Sequence, residues 1–459
     1  MGSLSTPDST VLQAALEEAH TTYTNSNSLS RKLNREAAQF LPGGNTRTVL
    51  HATPFPLTVS SGSGPTLTTL DGHTYVDFLG EYTAGIYGHS HPVIKAALQD
   101  ALEKGWNYGA HNALEAELAR IITDRFPALE LVRFVNSGTE ANMMALATAL
   151  AYTGKKKVLV FEKGYHGSTI SGRTPSTKKS INLPHDFLVA TYNDLEGTRD
   201  LIDSLPNDSL AAILIEPMLG SGGCYPATHE FLALLRRLAT ENKALLIFDE
   251  VMTSRLTYHG LGAVTGVTPD LMTLGKWVGG GMSFGLFGGR RDIMQLYDPR
   301  SGSLEHPGTF NNNIFTMSAG VAGCNFLTAD KIDALNHLGD VLRSKVEDIF
   351  TARDISSGTG AGTALPTRPV TDDMHSPSHP QRPPKMFIRG VGSLNAIHFV
   401  GPDRDVLQGL FYHHMLQNGI FMAQRGFTAL NVLITDEHVD AFVRAVDAFV
   451  GKWEASLRW

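Results

Sequence analysis

A lysine and an aspartate, each closing an apolar run, are the residues in this chain best placed to do chemistry. The run Asp270–Leu–Met–Thr–Leu–Gly ends in Lys276, and Leu245–Leu–Ile–Phe ends in Asp249–Glu250–Val251. A lysine set among apolar residues is desolvated, which lowers its pKa and makes it nucleophilic. A carboxylate at the end of a buried strand is costly unless it has a partner. Pyridoxal phosphate (PLP) asks for both groups: a lysine amine for its Schiff base, and a carboxylate that keeps its ring nitrogen protonated so that the ring can absorb electrons. Taken singly, Lys276 reads as a surface lysine and Asp249 as a structural strand-end aspartate. Their pairing is what favours the cofactor. Glu250, next door, reads as a structural hydrogen-bonding or ion-pairing group.

A phosphate site is expected at Asn136–Ser137–Gly138–Thr139–Glu140. This segment follows the apolar run 131–135 and opens a helix over 141–150. Free backbone N–H groups and the helix dipole attract anions there. Ser137 and Thr139 add hydroxyl donors, and Gly138 would let a phosphate approach closely. The plainer reading is an ordinary N-cap. In Gly164–Tyr165–His166–Gly167, just past 158–161, an aromatic ring could stack on a cofactor, or the loop could simply pack. Glu216 ends the apolar run 212–215 and could face the edge of the site. The glycines of Trp277–Val–Gly279–Gly280–Gly281 would let backbone pass close to a ligand. Arg47, after the turn Pro42–Gly43–Gly44–Asn45, and Arg425, in Gln424–Arg425–Gly426–Phe427, could grip carboxylates bidentately. By position alone each reads as a surface arginine.

The elements that must position these residues follow from the patterning. Apolar strands are expected at 131–135, 157–161, 186–190, 210–215, 244–248, 271–274 and 284–287, separated by helical stretches or long loops. Strands apolar on both faces and joined by crossover helices make a mostly parallel sheet covered on both sides, with ligands at the carboxyl ends of its strands. Asp249, Lys276 and the 136–139 segment all lie just past such strands. Before them come two helical stretches over 10–41, strand-like pieces at 56–60, 65–69 and 73–78, and helices at 91–104 and 112–125. After about 311 the chain is helical to Phe350. Residues 353–385 have the composition of a mobile loop with little part in the chemistry. Strands and helices return at 386–457. The division expected is an N-terminal segment, 1–85, forming part of a small domain; a large cofactor-binding domain, 86–328; and the C-terminal part of the small domain, 329–459.

Composition narrows the function. The chain has 459 residues, 42% apolar and 18% charged, as in soluble globular proteins. A net charge of −7 argues against a nucleic-acid binder. Cys224 and Cys324 are the two cysteines, too few for a disulfide framework or a zinc-like cluster, and they suit a reducing cytoplasm. No apolar run reaches membrane-spanning length, and the N-terminus lacks a signal-peptide core. Met1–Gly2–Ser3–Leu4–Ser5–Thr6 matches a myristoylation pattern, one short enough to arise by chance.

Taken together, Asn136–Glu140, Gly164–Gly167, Phe248–Val251, Thr273–Lys276 and Gly308–Thr309–Phe310 resemble the class III PLP-dependent aminotransferases of fold type I, over roughly 35–455 apart from 353–385. Within that class, Leu41–Arg47, Gly80–Gly85 and Val251–Arg255 resemble the β-amino-acid (β-phenylalanine-type) branch. The glutamate-1-semialdehyde aminomutases are also similar, but their first motif typically runs Pro-Gly-Gly-Val-Asn-Ser-Pro. The Val and the Pro are missing here.

The resemblance implies an α/β fold-type-I homodimer, with a large domain built on a mostly parallel seven-stranded sheet and a small α+β domain from both chain ends. The site would lie at the subunit interface. Lys276 would carry the Schiff base and Asp249 would bind the ring nitrogen. Gly138 and Thr139 would hold the phosphate, joined by Thr309 of the other subunit, and Tyr165 would cover the ring. Arg47 would take the carboxylate of a β-amino acid, and Arg425 the α-carboxylate of a keto-acid partner, 2-oxoglutarate or pyruvate. The reaction expected is a ping-pong transamination. The alternatives are an aminomutase, which needs no acceptor, and a phosphate- or nucleotide-binding protein without PLP chemistry. The Ser137–Thr139 loop lacks the Walker-type and Gly-x-Gly-x-x-Gly patterns that would favour the latter.

Overall fold

The computed structural model describes residues 9–170, 181–355, 368–369 and 383–459. The myristoylation-like residues 1–6 and most of the 353–385 segment lie outside them. Seven strands form the central sheet: β1 (Leu131–Val135), β2 (Lys157–Phe161), β3 (Asp186–Ala190), β4 (Leu210–Ile215), β5 (Leu245–Asp249), β6 (Leu271–Gly275) and β7 (Gly285–Gly289). Their spatial order is β1-β7-β6-β5-β4-β2-β3. Only β7 runs antiparallel to its neighbours. Strands β4 to β7 are buried along their whole length, which accounts for their largely apolar sequences.

Crossover helices cover the sheet. The helix Gly138–Thr153 joins β1 to β2, Leu195–Asp203 joins β3 to β4, and His229–Glu241 joins β4 to β5. The first begins earlier than its apolar pattern suggests, because the Ser137 side chain accepts from the Glu140 N–H and caps it there. It ends at Gly154, whose φ of 69° turns the chain out of the helix.

A second sheet ties the two ends of the chain together. Val59–Ser63, Thr66–Thr69 and Thr74–Asp77 form an antiparallel meander, and Ile420–Phe421 adds to it in parallel, Ile420 opposite Val76. The strand expected at 56–60 begins only at Val59, since Pro54 and Pro56 have no N–H for a ladder. A third sheet of Met386–Val391, Leu394–Phe399 and Phe427–Ala429 packs with the helices Ala329–Ala352, Arg404–Gln417 and Asp436–Leu457. Among the described residues no helix is long and apolar enough to cross a membrane.

Candidate active site

Parallel pairing puts the carboxyl ends of β5 and β6 side by side, with Asp249 opposite Thr273. The Asp249 carboxylate is buried and held from several sides. Asn142 Nδ2 donates to Oδ2 at 2.7 Å, His166 Nδ1 lies 2.8 Å from the same oxygen, and the Val251 N–H reaches Oδ1 at 3.0 Å. Asn142 is itself fixed, since its Oδ1 accepts from the Thr273 hydroxyl at 2.8 Å. These contacts leave a carboxylate of set orientation at the end of the central strand.

Lys276 follows β6 directly and has a left-handed backbone, φ 57°. Its Nζ donates to the Tyr82 carbonyl at 2.6 Å. Burial brings the ammonium down to about 8, against the pull of the Asp249 carboxylate. Glu216, also buried, accepts from the N–H groups of Tyr165 and Gly220, both at 2.9 Å. Burial raises its carboxyl to about 7, with His166 opposing the rise and Asp249 adding to it. Glu250 is a separate structural group. It accepts from the Thr253 hydroxyl and from the N–H groups of Leu261 and Gly262, and burial holds it near 7 as well.

The candidate phosphate segment reaches this cleft across β7. Gly275, Gly285 and Val135 stand in one row of the sheet, and a Cβ built on Gly275 would lie 3.6 Å from the Gly138 Cα. The N–H groups of Gly138 and Thr139 open the helix and have no intrahelical acceptor. Ser137 is spent on capping. The want of a side chain at Gly138 has its own cause: a Cβ there would meet Val251 Cγ1 at 2.7 Å. The glycines after Lys276 are explained by packing too, Gly279 against Phe284 and Gly280 against Ala319.

Two neighbouring aromatics take different parts. His166 turns inward to Asp249, while Tyr165 is 42% exposed and offers only its backbone to Glu216. Thr309 is exposed, in a turn linked to Asn136 by the 3.0 Å contact from Asn136 Nδ2 to Asn311 Oδ1.

Gly80–Thr83 is the feature least visible in the sequence. Gly80, Glu81, Tyr82 and Thr83 all have positive φ, of 53°, 46°, 50° and 84°. Such a run costs about 1–2 kcal/mol for each non-glycine residue. It is held by Asp77 Oδ1, which accepts from the N–H groups of Leu79 and Gly80, and by the Tyr82 ring, stacked on Phe427 with its hydroxyl donated to the Val49 carbonyl. The turn sets the Tyr82 carbonyl on Lys276 and pairs Glu81 with Arg47. Arg47 and Arg425 both lie over the Tyr82 ring, 5.7 and 5.4 Å from its centroid, and Arg425 also donates to the Ser221 hydroxyl at 3.1 Å. Sequence reasoning gave no candidate role to Asn142, Glu81 or Tyr82. Asn142 carried a signal as an amide in an apolar helix, and Glu81 and Tyr82 lie in the Gly80–Gly85 segment that marked the family branch without any role being assigned to its residues.

These groups fit PLP. A fixed buried carboxylate, a desolvated amine on the next strand and a helix N-terminus beside them match the cofactor's ring nitrogen, aldehyde and phosphate. The class-III aminotransferase family model matches residues 49–365. The chain belongs to the class III aminotransferases. It is 42% identical over 458 residues to the β-phenylalanine transaminase of Variovorax paradoxus, covering 97% of this chain and 98% of that one. The crystal structure of a β-phenylalanine aminotransferase from the same organism superposes with a TM-score of 0.87 over 97% of this chain and 99% of that one, again at 42% identity. A glutamate-1-semialdehyde 2,1-aminomutase of Methanosarcina acetivorans is 34% identical over 444 residues, covering 92% and 97%. This aminotransferase is therefore a PLP-dependent enzyme of fold type I.

Proposed function

We propose that the enzyme moves the amine of a β-amino acid to a keto acid, 2-oxoglutarate or pyruvate, in two half-reactions at one site. When bound, PLP supplies an electron-withdrawing ring conjugated to the nitrogen-bearing carbon. Lys276 would hold the cofactor covalently through its Nζ and, with that amine freed by the substrate's, would serve as the base and then the acid that carries the substrate carbon's proton. Its depressed pKa supports both tasks. Asp249, oriented by Asn142 and His166, pairs with the ring nitrogen. Gly138 and Thr139 hold the phosphate.

The observation that carries the substrate reading is the Gly80–Thr83 turn. It places Tyr82 on Lys276 and, one residue away, Glu81 on Arg47. The turn thus links the Arg47 guanidinium to the residue whose carbonyl holds the reacting amine, and Arg47 is read as the group that takes the carboxylate of a β-amino acid. Arg425, on the same Tyr82 ring, would serve the keto acid. The 42% identity to a β-phenylalanine transaminase supports this assignment.

We further infer a cytoplasmic homodimer in which Thr309 reaches the phosphate of the other subunit. The exposed aromatics Trp106, Tyr108 and Phe310, which a partner could cover, support it. Light scattering that returns a monomer would reject it.

The test of function is a panel of α- and β-amino acids of both hands, scored by loss of the cofactor's absorbance with and without a keto acid. β-Amino acids should discharge the colour, and a keto acid should restore it. Turnover of a single substrate with no acceptor would mark an aminomutase instead, the activity named for the Methanosarcina relative. In the same series, borohydride-reduced Lys276→Ala should carry no cofactor mass, and a retained adduct would exclude Lys276 as the tether.

A further inference from the structure

Of the two arginines that flank Tyr82, one already holds a carboxylate. Arg47 is paired with Glu81. Arg425 has no carboxylate partner among the described residues and leans on the Ser221 hydroxyl instead. The backbone of Glu81 is fixed. Its neighbours Leu79 and Gly80 donate to Asp77 Oδ1 at 2.8 and 3.0 Å, and a Cβ at Gly80 would lie 2.7 Å from the Ala429 carbonyl oxygen. Its side chain, in contrast, is 57% exposed and can swing into water. A rigid backbone therefore presents a free carboxylate to the guanidinium.

We propose that Glu81 is an internal competitor for Arg47, a carboxylate of the chain that the incoming substrate carboxylate displaces into solvent. The proposal rests on Arg47 being the substrate-carboxylate site. Exchange of one carboxylate for another keeps the guanidinium neutralised at every stage. Binding gives up the Arg47–Glu81 pair, and return of Glu81 to Arg47 assists departure of the keto acid. Glu81 thus sets affinity and release for carboxylate-bearing ligands without contacting the reacting carbon. Donors that lack a carboxylate have nothing to exchange.

The test uses the holoenzyme with Glu81→Gln, and with Glu81→Asn as a second variant, since Asn tolerates left-handed backbone better than most residues. The first reading is calorimetric titration with 3-phenylpropanoate, a carboxylate of matching size without an amine. An exposed ion pair of this kind is worth about 1.4-fold to fivefold in binding. Both variants should therefore bind 3-phenylpropanoate tighter by about that factor, and KM for β-phenylalanine should fall in step while KM for 1-phenylethylamine moves less. Weaker binding would show that Glu81 orients Arg47 and would overturn the proposal, as would unchanged binding. The substrate reading is judged separately, on Arg47→Ala: if that variant binds 3-phenylpropanoate as the wild type does, Arg47 is not the carboxylate site at all.

Discussion

Replacing Lys276 by methionine should make the cofactor-free protein more stable at neutral pH and less stable in strong alkali. The folded amine titrates near 8, against 10.5 for an ordinary lysine. That gap is worth up to roughly 3 kcal/mol. Below pH 8 the amine is protonated in the folded and unfolded chains alike, and the full penalty of burying an ammonium is present. Between 8 and 10.5 the unfolded chain keeps a proton that the folded chain has released, so wild-type stability contributed by this group rises with pH. Above 10.5 both forms are neutral and the penalty is gone. Methionine abolishes the penalty throughout, but it leaves the Tyr82 carbonyl without the donor now 2.6 Å away, a loss of about 1 kcal/mol. The net expectation is a gain of about 2 kcal/mol below pH 8 and a loss of about 1 kcal/mol above 10.5. Lys276 keeps some surface toward the cleft, so the gain is an upper bound. Urea unfolding of cofactor-stripped wild type and Lys276→Met, at one protein concentration and at pH 7, 9 and 10.5, measures the difference. A difference that does not change with pH would refute the burial of a depressed amine at this position.

Arg47→Ala should raise KM for β-amino acids by about tenfold or more through loss of a charge-assisted contact, and KM for simple amines far less; equal losses on both would remove Arg47 from substrate recognition. Asn142→Leu strips a 2.7 Å donor from Asp249 and an acceptor from Thr273, and should cost about 1–3 kcal/mol in unfolding free energy together with weaker cofactor retention. If the unfolding midpoint and the dissociation constant for PLP both match the wild type, Asn142 does not position Asp249.

The central sheet was legible because its middle strands are buried on both faces and all seven appear as mostly apolar runs, broken only at residues such as Arg133, Lys157, Asp186 and Thr273. The limits of β1 to β4 coincide with those runs. Strands β5, β6 and β7 extend further at their carboxyl ends, to Asp249, Gly275 and Gly289, because hydrogen-bonded register continues through residues that no apolar pattern includes. The strand-end positions of the candidate residues Asp249 and Lys276 were legible for the same reason. Tyr165 and His166 show where such reading stops. They are adjacent in a loop with no periodicity, and nothing in their order says which ring turns toward Asp249. Glu81 and Tyr82 lie in the Gly80–Gly85 segment that resembles the β-amino-acid branch, but what they touch was out of reach for a different reason. Their roles depend on left-handed backbone at non-glycine residues and on a contact between positions 194 residues apart in the chain. Neither is encoded in local spacing.

The two strained segments meet at one hydrogen bond, and that placement explains why the strain is tolerated. Within a strand, side chains alternate between the two faces of the sheet. Both faces are covered here, so a lysine inside the ladder of β6 would drive its amine into a packed layer. A left-handed residue just past the strand escapes that alternation and offers its amine at the strand end, toward the cleft. The cost of about 1–2 kcal/mol is offset by the packing of the next residue. Trp277 is fully buried, its indole donates to the Ser254 hydroxyl at 2.9 Å, and its carbonyl accepts from the Tyr87 hydroxyl at 2.9 Å. The opposing Gly80–Thr83 turn is clamped in the same manner, by Asp77 and by the Ala429 N–H donating to the Phe78 carbonyl at 2.7 Å. Each side is thus rigid independently of the other. The amine is held between two supports belonging to different sheets, and a small movement of the second sheet would change the setting of Lys276 and Arg47 together.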